Sequence, residues 1–381
     1  MIDVLTVLAL ALALTHFSFP LLYYLYLRSR WLNRDWGVVR DHGYAPKVSI
    51  IIPTYNEANL IESKLSNIVS QSYPKELMEV IVVDSASSDG TQSVVRKWVE
   101  SHRDVKAVLV EEPVRKGKAF ALNKALEVAT GEIVVVTDAD STWLSRDTLA
   151  NALTWFSDPG VGAVTCLKMP AGEGFAGVEK GYRDFYNVVR LGESKKFSTP
   201  VFHGELAAFR KSLLQELGGF PTDTGADDSH TATLIALKGF RAIAVDNALC
   251  TELVPGKGYH TWRIRRAQHL LQHFTKTLKL LPKAPKQFKP ILLAEAWLHL
   301  LNPWLLLIAT ATLLYKALTG SLTALTLLVT GIVLFILKPY RTWIATQVYL
   351  ITASIRNLWT KEIAWEKQEK NCNSQRSCRA Q

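Results

Sequence analysis

The sequence predicts an α/β domain, a mostly parallel mixed sheet between helices, flanked by membrane-spanning helices. Three observations carry that expectation. Between residues 45 and 255, short apolar runs alternate with segments of helical spacing. Uncharged runs long enough to cross a bilayer stand before and after that stretch. Polar clusters rich in carboxylates fall at the ends of successive apolar runs, where open α/β sheets bind their ligands.

The first element is a transmembrane helix over residues 1–30. From Val4 to Leu27 there is no Asp, Glu, Lys or Arg, a run longer than the roughly 20 residues a span requires. A signal peptide is the alternative. The run is too long for one, lacks a basic start, and ends in LLYYLYL without a small-residue cleavage site. The basic segment RSRWLNR comes afterwards, which by the positive-inside rule puts residue 28 onward in the cytoplasm.

KVSIIIPTYNE then reads as a buried strand ending in a turn, and EANLIESKLSNIVSQ as a helix with Leu60, Ile61, Leu65, Ile68 and Val69 on one face. EVIVVDSASSDGT repeats the plan, with a helix from about Thr91. VKAVLVEE and KAFALNKALEVA make a third pair, and EIVVVTDADS is a fourth strand, with Ser141 and Thr142 expected to start the next helix. Runs that are apolar throughout imply a sheet covered on both faces. Strand alternation would set Asp138 and Asp140 on one side of the chain, close enough to share a divalent ion. Taken singly, DSASSDGT and TYNE are ordinary turns and helix starts; three such clusters at successive strand ends define one crevice.

Residues 256–290 form a basic amphipathic region. Nine Lys or Arg residues and no acid lie between Leu253 and Ala294, with Ile264, Leu271, Phe274, Leu278 and Leu281 at helical spacing. A nucleic-acid partner would suit such a stripe, but its place before an apolar block favours a helix on anionic lipid, with a core or coiled-coil use of the apolar face as the plain alternative. Residues 291–337 hold two further spans, Ala296–Tyr315 and Leu318–Leu337, joined by a short turn around KALTG. Residues 338–370, less apolar and containing Gln347 and Arg356, are expected as an interfacial or re-entrant helix. Residues 371–381 read as a disordered tail.

The net charge is +10, and the four cysteines show no C-x-x-C spacing, which suits a reducing compartment and gives no zinc site.

SIIIPTYNE, VIVVDSASSDGT, RKGKAFALNKAL and VVVTDAD stand in the order and near spacing of the family 2 glycosyltransferases, and from about Val48 to the basic stripe the chain resembles that family. The resemblance implies the GT-A fold and transfer of a sugar from a UDP- or GDP-linked donor with Mg²⁺ or Mn²⁺. It implies donor contacts from Pro53, Tyr55, Glu57 and Asp84, the last to a nucleobase N–H. Asp140 would hold the metal, Asp138 would contact the ribose or assist the metal, and Lys118 would face the diphosphate from a helix start. GADDSH resembles the acidic motif in which an aspartate opening a helix acts as general base; by position this is Asp228, with Asp227 where Glu is usual. HGELAAFRKS resembles the acceptor-side segment, nominating His203, Gly204 and Glu205.

One departure matters. Processive synthases of the cellulose and hyaluronan branch carry Q-x-x-R-W after the acidic motif; here Arg263, Arg266 and Ala267 take those places. The arginines can still bind diphosphate, but the stacking tryptophan is missing, which implies single transfer. The expectation is a multi-pass, membrane-bound, inverting transferase with its catalytic domain in the cytoplasm, acting on a lipid-linked or polysaccharide acceptor in cell-surface glycan synthesis. Two other classes compete. Haloacid-dehalogenase-type phosphatases also use D-x-D-x-T, although their first aspartate ends the first strand, not the fourth. A membrane scaffold that binds nucleotide sugar without turnover would retain the fold alone.

Overall fold

The computed structural model describes residues 3–171 and 175–360. The expected disordered tail at 371–381 and the end of the interfacial segment past residue 360 lie outside the described residues.

Eight strands form one sheet: β1 (Val48–Thr54), β2 (Met78–Ser85), β3 (Lys106–Glu112), β4 (Ile133–Val136), β5 (Ser141–Trp143), β6 (Val161–Ala171), β7 (Ala207–Arg210) and β8 (Arg241–Leu253). Their spatial order is β3-β2-β1-β4-β7-β6-β8-β5. The helices are α1 (Val4–Arg30), α2 (Ile61–Val69), α3 (Thr91–Ser101), α4 (Lys118–Val128), α5 (Thr148–Leu153), α6 (Ala176–Lys196) and α7 (Lys211–Glu216). After them come α8 (Asp227–Leu237), α9 (Tyr259–Leu280), α10 (Lys289–Ala296), α11 (Asn302–Leu318), α12 (Leu322–Val333) and α13 (Lys338–Arg356).

The parallel half is the one read from the alternating runs. Val48 of β1 lies opposite both Met78 of β2 and Ile133 of β4, and β3 continues parallel beyond β2. Side chains of these strands point alternately into two cores. Ile50, Ile52, Val80, Val82 and Val135 pack with α2 and α3 on one face. Ile51, Ile81, Val83, Val134 and Val136 pack with α4 and α8 on the other. A strand buried on both faces has no polar side to show, hence the uninterrupted apolar runs. Antiparallel β7, between β4 and β6, turns the sheet mixed.

Two local expectations need correction. β4 stops at Val136, so Asp138 and Asp140 do not alternate on a strand; they sit in the turn beyond it. The Asp138 N–H donates to the Gly204 carbonyl (3.0 Å), and Ser141 Oγ donates to the Asp138 carbonyl (2.7 Å). Ser141 and Thr142 do not begin a helix either. They form β5, antiparallel to the end of β8 with Ser141 opposite Glu252, and the helix waits until Thr148.

Among the described residues two helices, Val4–Arg30 and Lys289–Leu318, are long and apolar enough to cross a membrane. The third expected span is shorter than foreseen. Leu322–Ile336 bends by 111° into α13, and a helix of that length rises only about 22 Å against a hydrocarbon core of about 30 Å. The amphipathic face of α9 is likewise used differently. Leu271 and Phe274 are buried against protein, Leu271 in a cluster with Ala267, Leu350 and Ala353 of α13, so only positions such as Leu278 stay exposed. The apolar helices are tied to the sheet domain by a buried polar junction: Tyr23 of α1 donates to Glu193 (2.9 Å), and Arg190 of α6 reaches both Glu193 (3.0 Å) and Glu295 of α10 (2.8 Å).

Candidate active site

A cleft of about 740 Å³ opens at the carboxyl edge of the parallel strands. Pro53, Tyr55 and Glu57 line it where β1 ends, Lys118 where α4 begins, Asp138 and Asp140 after β4, and Asp227 and Asp228 at the start of α8. His203 and Gly204 line it ahead of β7, and Arg263 and Arg266 enter from α9. The structure thus gathers every predicted site residue around one cleft except Asp84 and Glu205.

The centre is Lys118. Its ammonium lies 2.9 Å from Asp138, 3.3 Å from Asp228 and 3.8 Å from Asp227. These groups meet over Gly204, where a Cβ would sit 2.7 Å from Asp138 Oδ2, 2.8 Å from Asp228 Oδ2 and 2.9 Å from Lys118 Nζ. Only a residue without a side chain leaves room for that meeting. Burial alone would lower the Lys118 value, but Asp138, Asp227 and Asp228 hold it well above the ordinary lysine range. Burial raises Asp228 to about 7, with Asp227 adding to the rise and Lys118 opposing it. Burial raises Asp138 to about 6 against the pull of Lys118, and raises Asp227 as well. His203 is held well below its usual value by burial and by Arg183 and Lys168, so it presents a neutral ring.

The two remaining predicted residues lie behind the wall. Asp84 is fully buried, and its carboxylate accepts from Thr54 Oγ1 (3.3 Å), Ser87 Oγ (2.5 Å), the Ser87 N–H (3.0 Å) and Gln92 Nε2 (2.8 Å). It organises the turn after β2 instead of facing the cleft. Glu205 is buried 2.5 Å from Lys168, which also contacts Glu252. Arg266 meets Glu252 at 2.5 Å, so this arginine ties α9 to β8, while Arg263 pairs with Glu179 at 3.3 Å.

Several cleft groups were not foreseen. Arg115 stacks over Tyr55 at 3.8 Å. Tyr182, Trp262 and Tyr349 line the α6, α9 and α13 side, supplying aromatic faces although Ala267 stands where the motif tryptophan would. Lys64 is buried beneath the D-x-D turn, 3.1 Å from Ser141 Oγ and 4.6 Å from the Trp143 ring centre, and burial lowers it to about 8. Its spacing from Ile61 and Ile68 puts it on the apolar face of α2, a signal present in the sequence.

Asp138 and Asp140 suit a hard divalent cation, since their donors are all oxygen. Among the described residues no group of three or more His, Cys, Asp or Glu side chains converges as a cation site. A Mg²⁺-type ion is commonly held by one or two carboxylates plus substrate phosphates, and the pair fits that arrangement. The Oδ1 of Asp228 and Oδ2 of Asp227 are buried without hydrogen-bond partners, which leaves acceptor capacity at the cleft floor.

Similarity to known proteins agrees with this geometry. The profile of Glycosyl transferase family 2 matches residues 49–218. The chain is 58% identical to the mannosyltransferase PcManGT from Pyrobaculum calidifontis, solved in complex with GDP-Man and Mn2+; the likeness covers 94% of this chain and 100% of that one, with a TM-score of 0.88. It is 28% identical over 270 residues to poly-beta-1,6-N-acetyl-D-glucosamine synthase of Staphylococcus epidermidis, covering 68% of this chain and 64% of that protein. With the probable glycosyltransferase YdaM of Bacillus subtilis it shares 29% identity over 231 residues, 58% of this chain and 52% of that one. The chain therefore spans less than two thirds of the length of these curated relatives. Four sequence motifs, a cleft lined by residues from them and a relative alike along its whole length lead to one assignment, which displaces the phosphatase: the chain belongs to glycosyl transferase family 2, and its sheet domain has the GT-A fold.

Proposed function

We propose that the chain is a membrane-anchored, inverting, single-transfer hexosyltransferase that moves a sugar, mannose from GDP-mannose first among candidates, onto a lipid-linked acceptor. The observation that carries this reading is the Lys118–Asp138–Asp227–Asp228 cluster around Gly204. Asp228, at the first turn of α8 and raised to about 7, is matched to taking a proton from an acceptor hydroxyl near neutral pH. Lys118 offers the one ammonium among these carboxylates and would balance charge on the departing diphosphate. A Mn²⁺ or Mg²⁺ held by Asp140 and Asp138 would supply further charge neutralisation to the diphosphate when bound. Tyr55 and Arg115 form a stacked wall suited to the nucleoside, with Pro53 and Glu57 beside it. Base recognition by Asp84 would require it to exchange one of its four internal donors. Arg263 and Arg266 act in this reading mainly by holding α9 against the cleft.

Two features support the lipid-linked acceptor. The candidate spans flank the catalytic domain, with Arg28 and Arg30 in the last turn of the first and Arg34 after it, which favours a cytoplasmic cleft. Thr346, Tyr349 and Leu350 of α13 line the cleft itself, so an acceptor held in the apolar helices would have a short approach.

The test is nucleotide release by the purified chain with Mn²⁺ across GDP- and UDP-sugars and lipid acceptors. Asp228→Asn should keep donor binding and lose about 10²- to 10⁴-fold in transfer, while Asp140→Ala should lose Mn²⁺-dependent donor binding. Equal background release from wild type and both variants would sink the enzyme reading and leave the scaffold.

A further inference from the structure

We propose that His299 is a hydroxyl-binding subsite for a sugar carried by the acceptor; this rests on the transferase reading above and narrows its acceptor to one that already bears a saccharide. His299 lines the cleft yet is only 1% exposed. It sits in a π-helical turn, Trp297–Leu301, that interrupts the otherwise continuous helix from Lys289 to Leu318. Such turns sacrifice hydrogen-bond geometry and recur where a side chain must be re-aimed at a functional site.

The ring's chemistry is fixed by its neighbours. Nδ1 lies 2.8 Å from the Glu295 carbonyl, which can only accept, so Nδ1 carries the proton. The ring stacks on Phe274 with centroids 4.8 Å apart and planes 20° apart, and Glu295 is itself held by Arg190 at 2.8 Å. Nε2 is buried and has no hydrogen-bond partner. In the neutral tautomer it is an unpartnered lone pair on a residue that lines the cleft. That lone pair takes a hydroxyl or amide N–H and repels an ionised phosphate oxygen, which has no hydrogen to give.

The surroundings agree with a sugar over a bare anion. Arg263 and Arg183 are 3.3 and 3.9 Å from Glu179, Arg190 is 2.8 Å from Glu295 and Arg266 is 2.5 Å from Glu252, so each spends charge on a carboxylate. The Arg263 guanidinium also covers the rings of Tyr182 and Tyr349, at 4.4 and 5.6 Å. The result is a polar pocket with aromatic walls and little free positive charge. His299 touches the acceptor away from the reacting atoms, so its role is positioning.

The experiment uses the full chain in detergent with GDP-mannose and Mn²⁺, and compares dodecyl glucoside, dodecyl mannoside and dodecyl N-acetylglucosaminide with dodecyl phosphate as acceptors. His299→Ala should raise KM for a glycoside that serves as acceptor about tenfold, the loss of one buried hydrogen bond, with less than a twofold change for dodecyl phosphate and unchanged calorimetric affinity for GDP-mannose. His299→Gln, which restores an acceptor oxygen, should recover part of the loss. Equal KM increases for both acceptor types, a matching loss of donor affinity, or wild-type transfer to dodecyl phosphate but to no glycoside would overturn the subsite while leaving the transferase standing. Absence of nucleotide release with every donor and acceptor would overturn the transferase reading itself, and the subsite with it.

Discussion

Gly204→Ala is the narrowest perturbation of the catalytic geometry. The new Cβ would lie 2.7, 2.8 and 2.9 Å from Asp138 Oδ2, Asp228 Oδ2 and Lys118 Nζ. Non-bonded heavy atoms settle near 3.5 Å, so each group must retreat by about 0.6–0.8 Å. Gly204 is not among the residues with positive φ, so alanine brings no dihedral strain and the fold should persist. The displaced groups are the proposed base, the diphosphate cation and one metal-side carboxylate, held now within 2.9–3.3 Å of one another's charges. Misplacement by somewhat less than 1 Å should cost about 10- to 100-fold in kcat, or about 1.4–2.7 kcal/mol of barrier. Nucleotide release at saturating donor and Mn²⁺, read beside the melting temperature, is the assay. Gly256→Ala, where no atom stands within 4 Å of the new methyl, is the control. A Gly204→Ala protein with wild-type kcat would refute the claim that these three groups work as a packed unit.

Two stability predictions follow from buried charge elsewhere. Lys168→Met removes one of two cations shared by Glu205 and Glu252 and leaves Arg266, 3.7 Å from Glu205 and 2.5 Å from Glu252, to balance both; it should destabilise the fold by about 3 kcal/mol, the loss of a buried ion-pair partner; a melting temperature within a degree of wild type would contradict it. Glu79 binds Ser49 Oγ (2.5 Å), the Thr130 N–H (2.5 Å) and Thr130 Oγ1 (2.8 Å), and pairs with Lys106 (2.5 Å). Burial would raise its pKa, but these partners pull it down to about 2. With the folded value below the unfolded one of about 4.3, the stabilisation is present above pH 4.3 and is lost as pH falls toward 2. Glu79→Gln should therefore melt lower at pH 7 and show a flatter decline between pH 5 and pH 2; parallel curves would refute it.

The strand-end side of the cleft was legible because each part is local. A strand-end loop such as TYNE or a helix start such as GADDSH carries its candidate residue within a few positions of the turn that places it, so order and spacing sufficed. Asp84 shows the limit of that reasoning. The strand end was correctly placed, but nothing in DSASSDGT says that Ser87 and Gln92 would turn the carboxylate inward. Lys64 shows the opposite failure, since its spacing from Ile61 and Ile68 puts it on the apolar face of α2, yet no motif marks a lysine there. The helical side of the cleft was illegible for a different reason. Tyr182, Trp262, His299 and Tyr349 come from four separate helices, and only tertiary packing brings them to one wall.

The basic stripe makes the same point in terms of charge. As sequence it is one run of cations that suits a lipid surface. In the fold it divides in two, because Arg263 and Arg266 find carboxylates on α6 and β8 and turn inward. Lys276 pairs with Asp223 at 2.6 Å. The later lysines, Lys279, Lys283, Lys286 and Lys289, remain exposed, and they directly precede or open the apolar helix that begins at residue 289. Charge density along the chain overstated the field available to lipid and hid the ion pairs that hold α9 over the cleft. Burying those arginines is favourable only because Glu179 and Glu252 are buried with them. Those acids lie 84 and 14 positions from their arginines in sequence, so no local window could have paired them.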